Sequence, residues 1–328
     1  METINVSIMS QDKTSWGSGG LFGNRALGSL FLMVVCPAFC LTFWYTCQHL
    51  DGNLFRVYDL IRDEGIVSFG QKIFANPFNP YVWKRILAYM AFELFLMRFV
   101  PGKIFKASVT ATGHVPVYIA NGFQSYLITI VALFALKISG YWNPAEVYDH
   151  MGDFLSSMNV FALGLCLFLT IKGLNFPSTK DSGTNGDFIV DYFWGTELYP
   201  RVFGFDIKQF TNCRFGMMFW QVGILCYAMK QYDDLGYVTS SMFVSVAVQT
   251  VYVAKFFLWE TGYFCTMDIQ HDRAGYYLCW GCCVWVPSMY TMHTYYLTNH
   301  PVDLSLPLAG FFLFAGIYSV YVNYECDR

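Results

Sequence analysis

Eight predominantly apolar stretches recur along the chain, at residues 26–47, 83–99, 123–138, 154–171, 215–229, 238–257, 276–297 and 304–322. A bilayer's hydrocarbon core takes about 20 helical residues, range roughly 17 to 25, so each stretch predicts a membrane-crossing helix. The fold class expected is therefore all-α, a polytopic transmembrane helical bundle of about eight spans. One membrane domain, residues 26–328, follows a polar segment, residues 1–25, which lacks the apolar core of a cleavable signal peptide. Glu93 and Arg98 interrupt the second stretch and are expected to face protein, water or headgroups rather than lipid. The longest polar insertion runs over 173–214. Its first part, 177–186, is rich in Ser, Thr and Gly and reads as flexible. From Asp187 onward aromatic and charged residues mix, and that part is expected to pack.

Composition strengthens the membrane reading. Of the 328 residues 55% are hydrophobic and 13% charged, against about 25% charged in an ordinary soluble domain. Exposed to water, such a chain would carry apolar patches beyond what soluble monomers tolerate. Its 32 Phe, 23 Tyr and 9 Trp suit membrane interfaces and the enclosure of a large flat apolar ligand. The net charge of −3 leaves no basic surplus for a nucleic acid. The 11 Cys, an odd number set mostly in apolar runs, read as small buried hydrophobes. With eight spans, one side collects twelve Lys and Arg and the other seven, with Lys255 inside a span. Both termini are then expected to be cytoplasmic.

The densest set of titratable groups lies between Tyr252 and Asp272. On a helix Tyr252, Phe256, Trp259 and Tyr263 share one face, either as packing and interfacial belt or as one wall of a pocket for a flat hydrocarbon. Lys255 and Glu260 lie within or near hydrocarbon, where charges usually face a pathway, a site or each other. If the following segment is helical, Asp268, His271 and Asp272 fall at i, i+3 and i+4. That arrangement suits a solvated turn, a metal site or acid–base work. A single His contrasts with the repeated Glu-x-x-His pairs of di-iron bundles. Cys279 and Cys282 have the spacing of a zinc pair, but no second pair accompanies them. No metal is expected. Gly17-Ser18-Gly19-Gly20-Leu21-Phe22 lacks the third glycine of a dinucleotide fingerprint, and no Walker A, Gly-x-Ser-x-Gly or His-Glu-x-x-His sequence occurs. A transporter is disfavoured, because the charges gather at helix ends rather than in two matching sets of broken mid-membrane helices.

Several segments resemble the membrane sterol reductases, which reduce double bonds of the sterol nucleus. They are GDFI (186–189) leading through Asp191, Gly195 and Leu198 to Pro200 and Arg201, then FDIK (205–208), NCRFGMM (212–218), TMDIQHDRAG (266–275) and WVP (285–287). GHVPVYIANG (113–122) and NPAEVYDH (143–150) fit as well. Tyr199, Phe215, Lys255 and Cys282 follow the plant-type pattern of the branch that acts on the ring-B double bond.

The resemblance implies saturation of the delta-7 double bond of a 5,7-diene sterol, by protonation followed by hydride from NADPH, in the endoplasmic reticulum membrane. An electron-rich alkene needs a proton before hydride, so an acid and a water-free cage are required. The match of Tyr252 in the family falls beside the sterol, which makes it the expected donor or relay. Glu260, Asp268, His271 and Asp272 are expected on a proton path from the cytoplasmic side. The sterol rings are expected against the sixth to eighth spans, with Phe256, Trp259, Trp285 and Tyr290. The family's cofactor-binding positions would fall beyond Arg328, and no residue of this chain matches them. A non-catalytic sterol-binding membrane protein is the alternative.

Overall fold

Asn24 opens the first long helix, its side-chain oxygen accepting from the backbone N–H groups of Ala26 and Leu27 at 2.9 and 3.2 Å. The structure is a computed structural model that describes residues 24–327. The polar N-terminal segment, except its last two residues, and the Gly17–Phe22 pattern lie outside the described residues.

All eight apolar stretches are helical. Four helices are long and apolar enough to cross a membrane by length and composition: Arg25–His49, Met151–Asn175, Ser240–Leu258 and Leu306–Asp327. The other four are helical but short, charged or broken. Pro80–Phe99 carries Lys84, Arg85, Glu93 and Arg98, and Gly122–Ile138 has 17 residues. Met217–Leu235 continues from a π-helical stretch, Phe210–Gly216. The seventh begins as a wide π-helical segment, Tyr276–Trp285, and proceeds through Val286–Met289 to Met292–Asn299. Its breaks have a local cause. Pro287 supplies no N–H, Ser288 Oγ donates back to Val284 O at 2.6 Å, and Thr291 Oγ1 donates to Pro287 O at 2.7 Å; such back-bonding competes with the helical ladder.

Met151–Asn175 is the central helix. Leu155, Met158, Ala162, Cys166 and Leu169, at helical spacing, are fully buried, and Asn159 accepts from Trp280 Nε1 at 2.8 Å. By contrast Leu306–Asp327 has no buried residue. It leans on Ser240–Leu258, with Gly316 against Val248 and Lys255 Nζ donating to Asn323 at 2.9 Å.

Two antiparallel hairpins join this all-α frame: Lys103–Lys106 with Val117–Ala120, and Arg201–Val202 with Phe205–Asp206. Arg201 Nη2 donates to Val117 O at 2.8 Å and Gln209 Nε2 to Ile119 O at 3.1 Å. Lys208 reaches the loop after the sixth span. The second, fourth and sixth connections therefore meet on one face of the bundle.

The 177–186 segment, expected to be flexible, is instead tied down. Gly183 N donates to Thr196 O, Leu198 N donates to Asp181 O, and Ser182 bridges to Glu197. The Asp181 carboxylate accepts from Thr110 and Thr112 of the second connection, each at 2.9 Å. Composition misleads here because Ser, Thr and Asp supply the side-chain bonds that pin an irregular backbone. The later part packs as expected: Asp187 caps Phe188–Trp194, and buried Glu197 pairs with Lys172 at 2.8 Å.

Candidate functional site

Two helix ends are closed by one buried node. Asn121 Nδ2 donates to the last carbonyls of Pro80–Phe99, including Val100 O at 2.8 Å, and so satisfies groups that a helix C-terminus leaves open. Its Oδ1 accepts from Arg214 Nη2 at 2.6 Å. The other arm of Arg214, Nη1, meets Glu260 Oε1 at 2.6 Å, and Glu260 Oε2 accepts the N–H of Gly122, the first residue of the next helix, at 2.7 Å. Arg214 and Glu260 are 0% and 2% exposed. Gly122 has no room for a side chain, since a Cβ would stand 2.7 Å from Glu260 Oε2.

The second cluster lies just below. The loop that follows the sixth span forms one helical turn, Met267–Gln270, and ends at His271. Asp268, His271 and Asp272 thus do not form the continuous helical face expected of them. Instead the carbonyls of Asp268, Ile269 and Asp272 converge on the Lys208 ammonium at 2.8, 2.7 and 2.7 Å. Lys208 is fully buried and also lies 5.3 Å from the centre of the Tyr199 ring. Burial pushes its pKa down to about 8, against the pull of Asp206 and of the loop's acids. Burial likewise pushes the Asp268 and Asp272 carboxyls up, with Lys208 opposing. His271 is exposed. This loop is locked to the fourth connection by two glycines back to back. Gly195, at φ +91°, sits where a Cβ would stand 2.6 Å from Ala274 C, and a Cβ on Gly275 would stand 2.2 Å from Gly195 N.

The aromatic stripe divides. The helix ends at Leu258, and Trp259 leaves helical geometry at φ −113°, ψ 37°. Tyr252 lies 5.3 Å from the Trp220 ring, and Tyr290 packs on the same Trp220 at 4.9 Å, so these two expected site residues come together around a third. Lys255 Nζ stands 4.9 Å from the Tyr252 ring centre. Phe256 packs on Tyr263, whereas Trp259 turns toward Tyr324. Trp285, expected with the sterol, lies instead against Phe39 of the first helix and Trp280, and the single helix face of Tyr252, Phe256, Trp259 and Tyr263 is not formed. Its physical reason is the break at Trp259, which frees Glu260 to reach Gly122.

Sequence reasoning missed Lys208, Arg214, Asn121 and Trp220. Their signal was a polar side chain inside otherwise apolar or tightly patterned sequence, as in FDIK and NCRFGMM. Among the described residues no three His, Cys, Asp or Glu are placed to hold a metal. Cys279 and Cys282 lie buried inside the π-helical segment, and Cys282 Sγ accepts from Asn212 Nδ2 at 3.3 Å.

The molecule is thus a helical membrane protein whose polar groups close helix ends on one face, next to an aromatic cluster between spans. Residues 21–323 match the model of the Ergosterol biosynthesis ERG4/ERG24 family, and the chain belongs to that family. It is 46% identical over 300 residues to the 7-dehydrocholesterol reductase of Arabidopsis thaliana, covering 91% of this chain and 69% of that protein. Its identity to the 7-dehydrocholesterol reductase of Xenopus laevis is 35% over 94% of this chain and 68% of the relative. To the Delta(14)-sterol reductase of Methylotuvimicrobium alcaliphilum it is 31% over 88% and 68%.

Proposed function

We propose that this chain is an oxidoreductase that saturates the delta-7 double bond of 5,7-diene sterols, in the endoplasmic reticulum membrane with both termini cytoplasmic. The observation that carries the reading is the 46% identity to a plant protein named for that reaction, across 91% of this chain. The geometry supports it in one respect: Tyr252 presents a phenol between spans, beside Trp220 and within one ring of Tyr290. The proton leaves Tyr252 Oη for one alkene carbon, leaving a tyrosinate to be reprotonated, and the carbocation at the other carbon would be closed by hydride from a bound nicotinamide. Such a cation needs a water-free wall, to which Trp220 and Tyr290 would contribute. Asp268, Asp272 and exposed His271 stand at the loop surface, where carboxyls pushed up by burial can hold and pass a proton. Glu260 has both oxygens engaged by Arg214 and Gly122 and is a positioning residue.

The resemblance implies NADPH as hydride source. Lys255, beside Tyr252, and the buried cations of the connections already have partners: Lys255 with Asn323, Arg214 with Glu260, and Lys208 with three carbonyls. These residues do not form a cradle for dinucleotide phosphates, and the same observation favours the second reading, a sterol-binding protein without catalysis.

Membranes carrying this chain, supplied with 7-dehydrocholesterol and NADPH, are expected to lose conjugated-diene absorbance. Retained absorbance together with sterol binding would select the second reading. A Tyr252→Phe variant is expected to lose turnover by about 10² or more. Unchanged turnover would remove Tyr252 as donor.

A further inference from the structure

On the face where the three connections meet there is a cavity of about 360 Å³, away from the Tyr252 cluster. Its walls come from the end of Pro80–Phe99, from Val117–Ala120 and from the Arg201–Asp206 hairpin, and include Arg98, Tyr118, Arg201, Asp206 and Gln209. Two of these are buried polar groups with unmet bonding capacity. Tyr118 is 2% exposed and its Oη has no partner; Asp206 is 4% exposed and its Oδ2 has none, although Oδ1 accepts from Gln209 N at 2.9 Å. Buried polar atoms left unpaired are rare, and each needs a reason such as an absent ligand or ion. Arg201 spends one Nη2 bond on Val117 O, and Arg98 is exposed, with no ion pair or hydrogen bond among the described residues. The cavity therefore offers two guanidinium groups, suited to a phosphate, beside a carboxyl and a phenol suited to a hydrogen-bond donor.

The rim identifies the source. Phe203 is 98% exposed and held at φ +50°, a left-handed conformation that a bulky residue adopts only under constraint. With Gly204 at φ +84° it forms the tip of the hairpin and projects an aromatic ring outward beside the cavity. Phe99 and Ile104, exposed to 68% and 67%, lie on the neighbouring elements. Exposed aromatic and aliphatic residues next to arginine mark a membrane interface.

The geometry points to a phospholipid-headgroup site: a phosphate ester held by Arg98 and Arg201, whose ammonium or hydroxyl donor is received by Asp206 and Tyr118. An ethanolamine headgroup carries both features. A soluble phosphate ester shares the chemistry, but the apolar rim favours lipid.

The test uses the purified chain in mixed micelles or nanodiscs and native mass spectrometry with phosphatidylethanolamine or phosphatidylcholine of matched acyl chains. A parallel arm gives soluble phosphoethanolamine in lipid-free detergent and follows thermal protection. The wild type is expected to retain the ethanolamine lipid roughly tenfold over choline, the scale of a charge-assisted hydrogen bond. Arg98→Gln, which removes an exposed contact to the phosphate that both lipids carry, is expected to lower retention of both at the wild-type melting temperature, and Asp206→Asn, which keeps the oxygen that receives Gln209 N, is expected to lose the ethanolamine preference. Protection by soluble phosphoethanolamine to the same extent would assign the site to a soluble phosphate ester instead of lipid. Equal retention of the two lipids by the wild type, an unchanged preference in Asp206→Asn, or unchanged retention in Arg98→Gln would overturn the proposal.

Discussion

Replacing Glu260 by Gln would leave Arg214 as a buried guanidinium without a counter-charge. Arg214 Nη1 meets Glu260 Oε1 at 2.6 Å with neither side chain more than 2% exposed, and after the substitution only neutral amide oxygens, the introduced one and Asn121 Oδ1 on Nη2 at 2.6 Å, would face the guanidinium. Removing one partner of a buried pair costs about 3–5 kcal/mol, because the survivor keeps its desolvation penalty. With an unfolding entropy of about 2.1 cal/mol/K per residue over 328 residues, this corresponds to a melting point lower by roughly 4–7 °C. Buried thiols supply the assay. Cys213, adjacent to Arg214, is fully buried, whereas Cys265 and Cys326 are exposed and set the baseline for a thiol-reactive dye during a thermal ramp in detergent. A Glu260→Gln, Arg214→Gln double variant is expected to lose less than the sum of the two single losses, since the unpaired charge is gone. A Glu260→Gln protein that melts within about 2 °C of wild type would refute the claim that this pair holds the two helix ends together.

Lys208→Met would orphan three carbonyls bound at 2.7–2.8 Å, and a loss of about 3 kcal/mol or more is expected in the same melting assay, since each unpaired buried acceptor costs about 1–3 kcal/mol. The same residue gives a pH signature. Its pKa is about 8 in the folded state against 10.5 unfolded, so between those values the unfolded chain binds the extra proton and wild-type stability rises with pH, by roughly 3 kcal/mol across the window. The wild-type minus Lys208→Met difference in melting point from pH 7.5 to 10 isolates this slope, and its absence would show that Lys208 does not titrate there. Gly195→Ala would place a Cβ 2.6 Å from Ala274 C at φ +91° and is expected to abolish accumulation of folded protein. Gly186→Ala, at φ +85° but with open space around it, is expected to cost only about 1–2 kcal/mol; equal effects in expression and melting would argue against the tight glycine contact.

The spans were legible in the sequence because apolar length is read over some twenty residues, and small errors at the ends do not alter it. The helix interruptions were not. Residues 276–299 look uniformly apolar, yet Pro287, Ser288 and Thr291 redirect the backbone hydrogen bonds, an effect of single atoms that hydropathy does not register. The 177–186 segment was misread for the converse reason, since a flexible composition was fixed by Thr110 and Thr112 from another connection. At the site, Tyr252 and Tyr290 are brought together, but through Trp220, which no spacing pattern linked to them.

Charged residues near membrane spans invite a chemical reading, and Glu260, Lys208 and Arg214 show how that reading should be divided. A helix entering lipid must satisfy its terminal N–H and C=O groups within the protein. Glu260 does so for Gly122, Asn121 for the helix ending at Phe99, and Lys208 for the turn after Met267. Each closes a backbone end first, and only groups left over after that closure remain available for chemistry. Within the described residues such groups include the phenol of Tyr252 at the aromatic cluster, and Tyr118 with one oxygen of Asp206 in the interfacial cavity. The two sets lie on different elements, so a variant in one is expected to leave the other's readout unchanged: Tyr252→Phe should preserve lipid preference, and Asp206→Asn should preserve sterol turnover. Loss of both functions in either variant, with an unaltered melting curve, would show that the two sites are coupled.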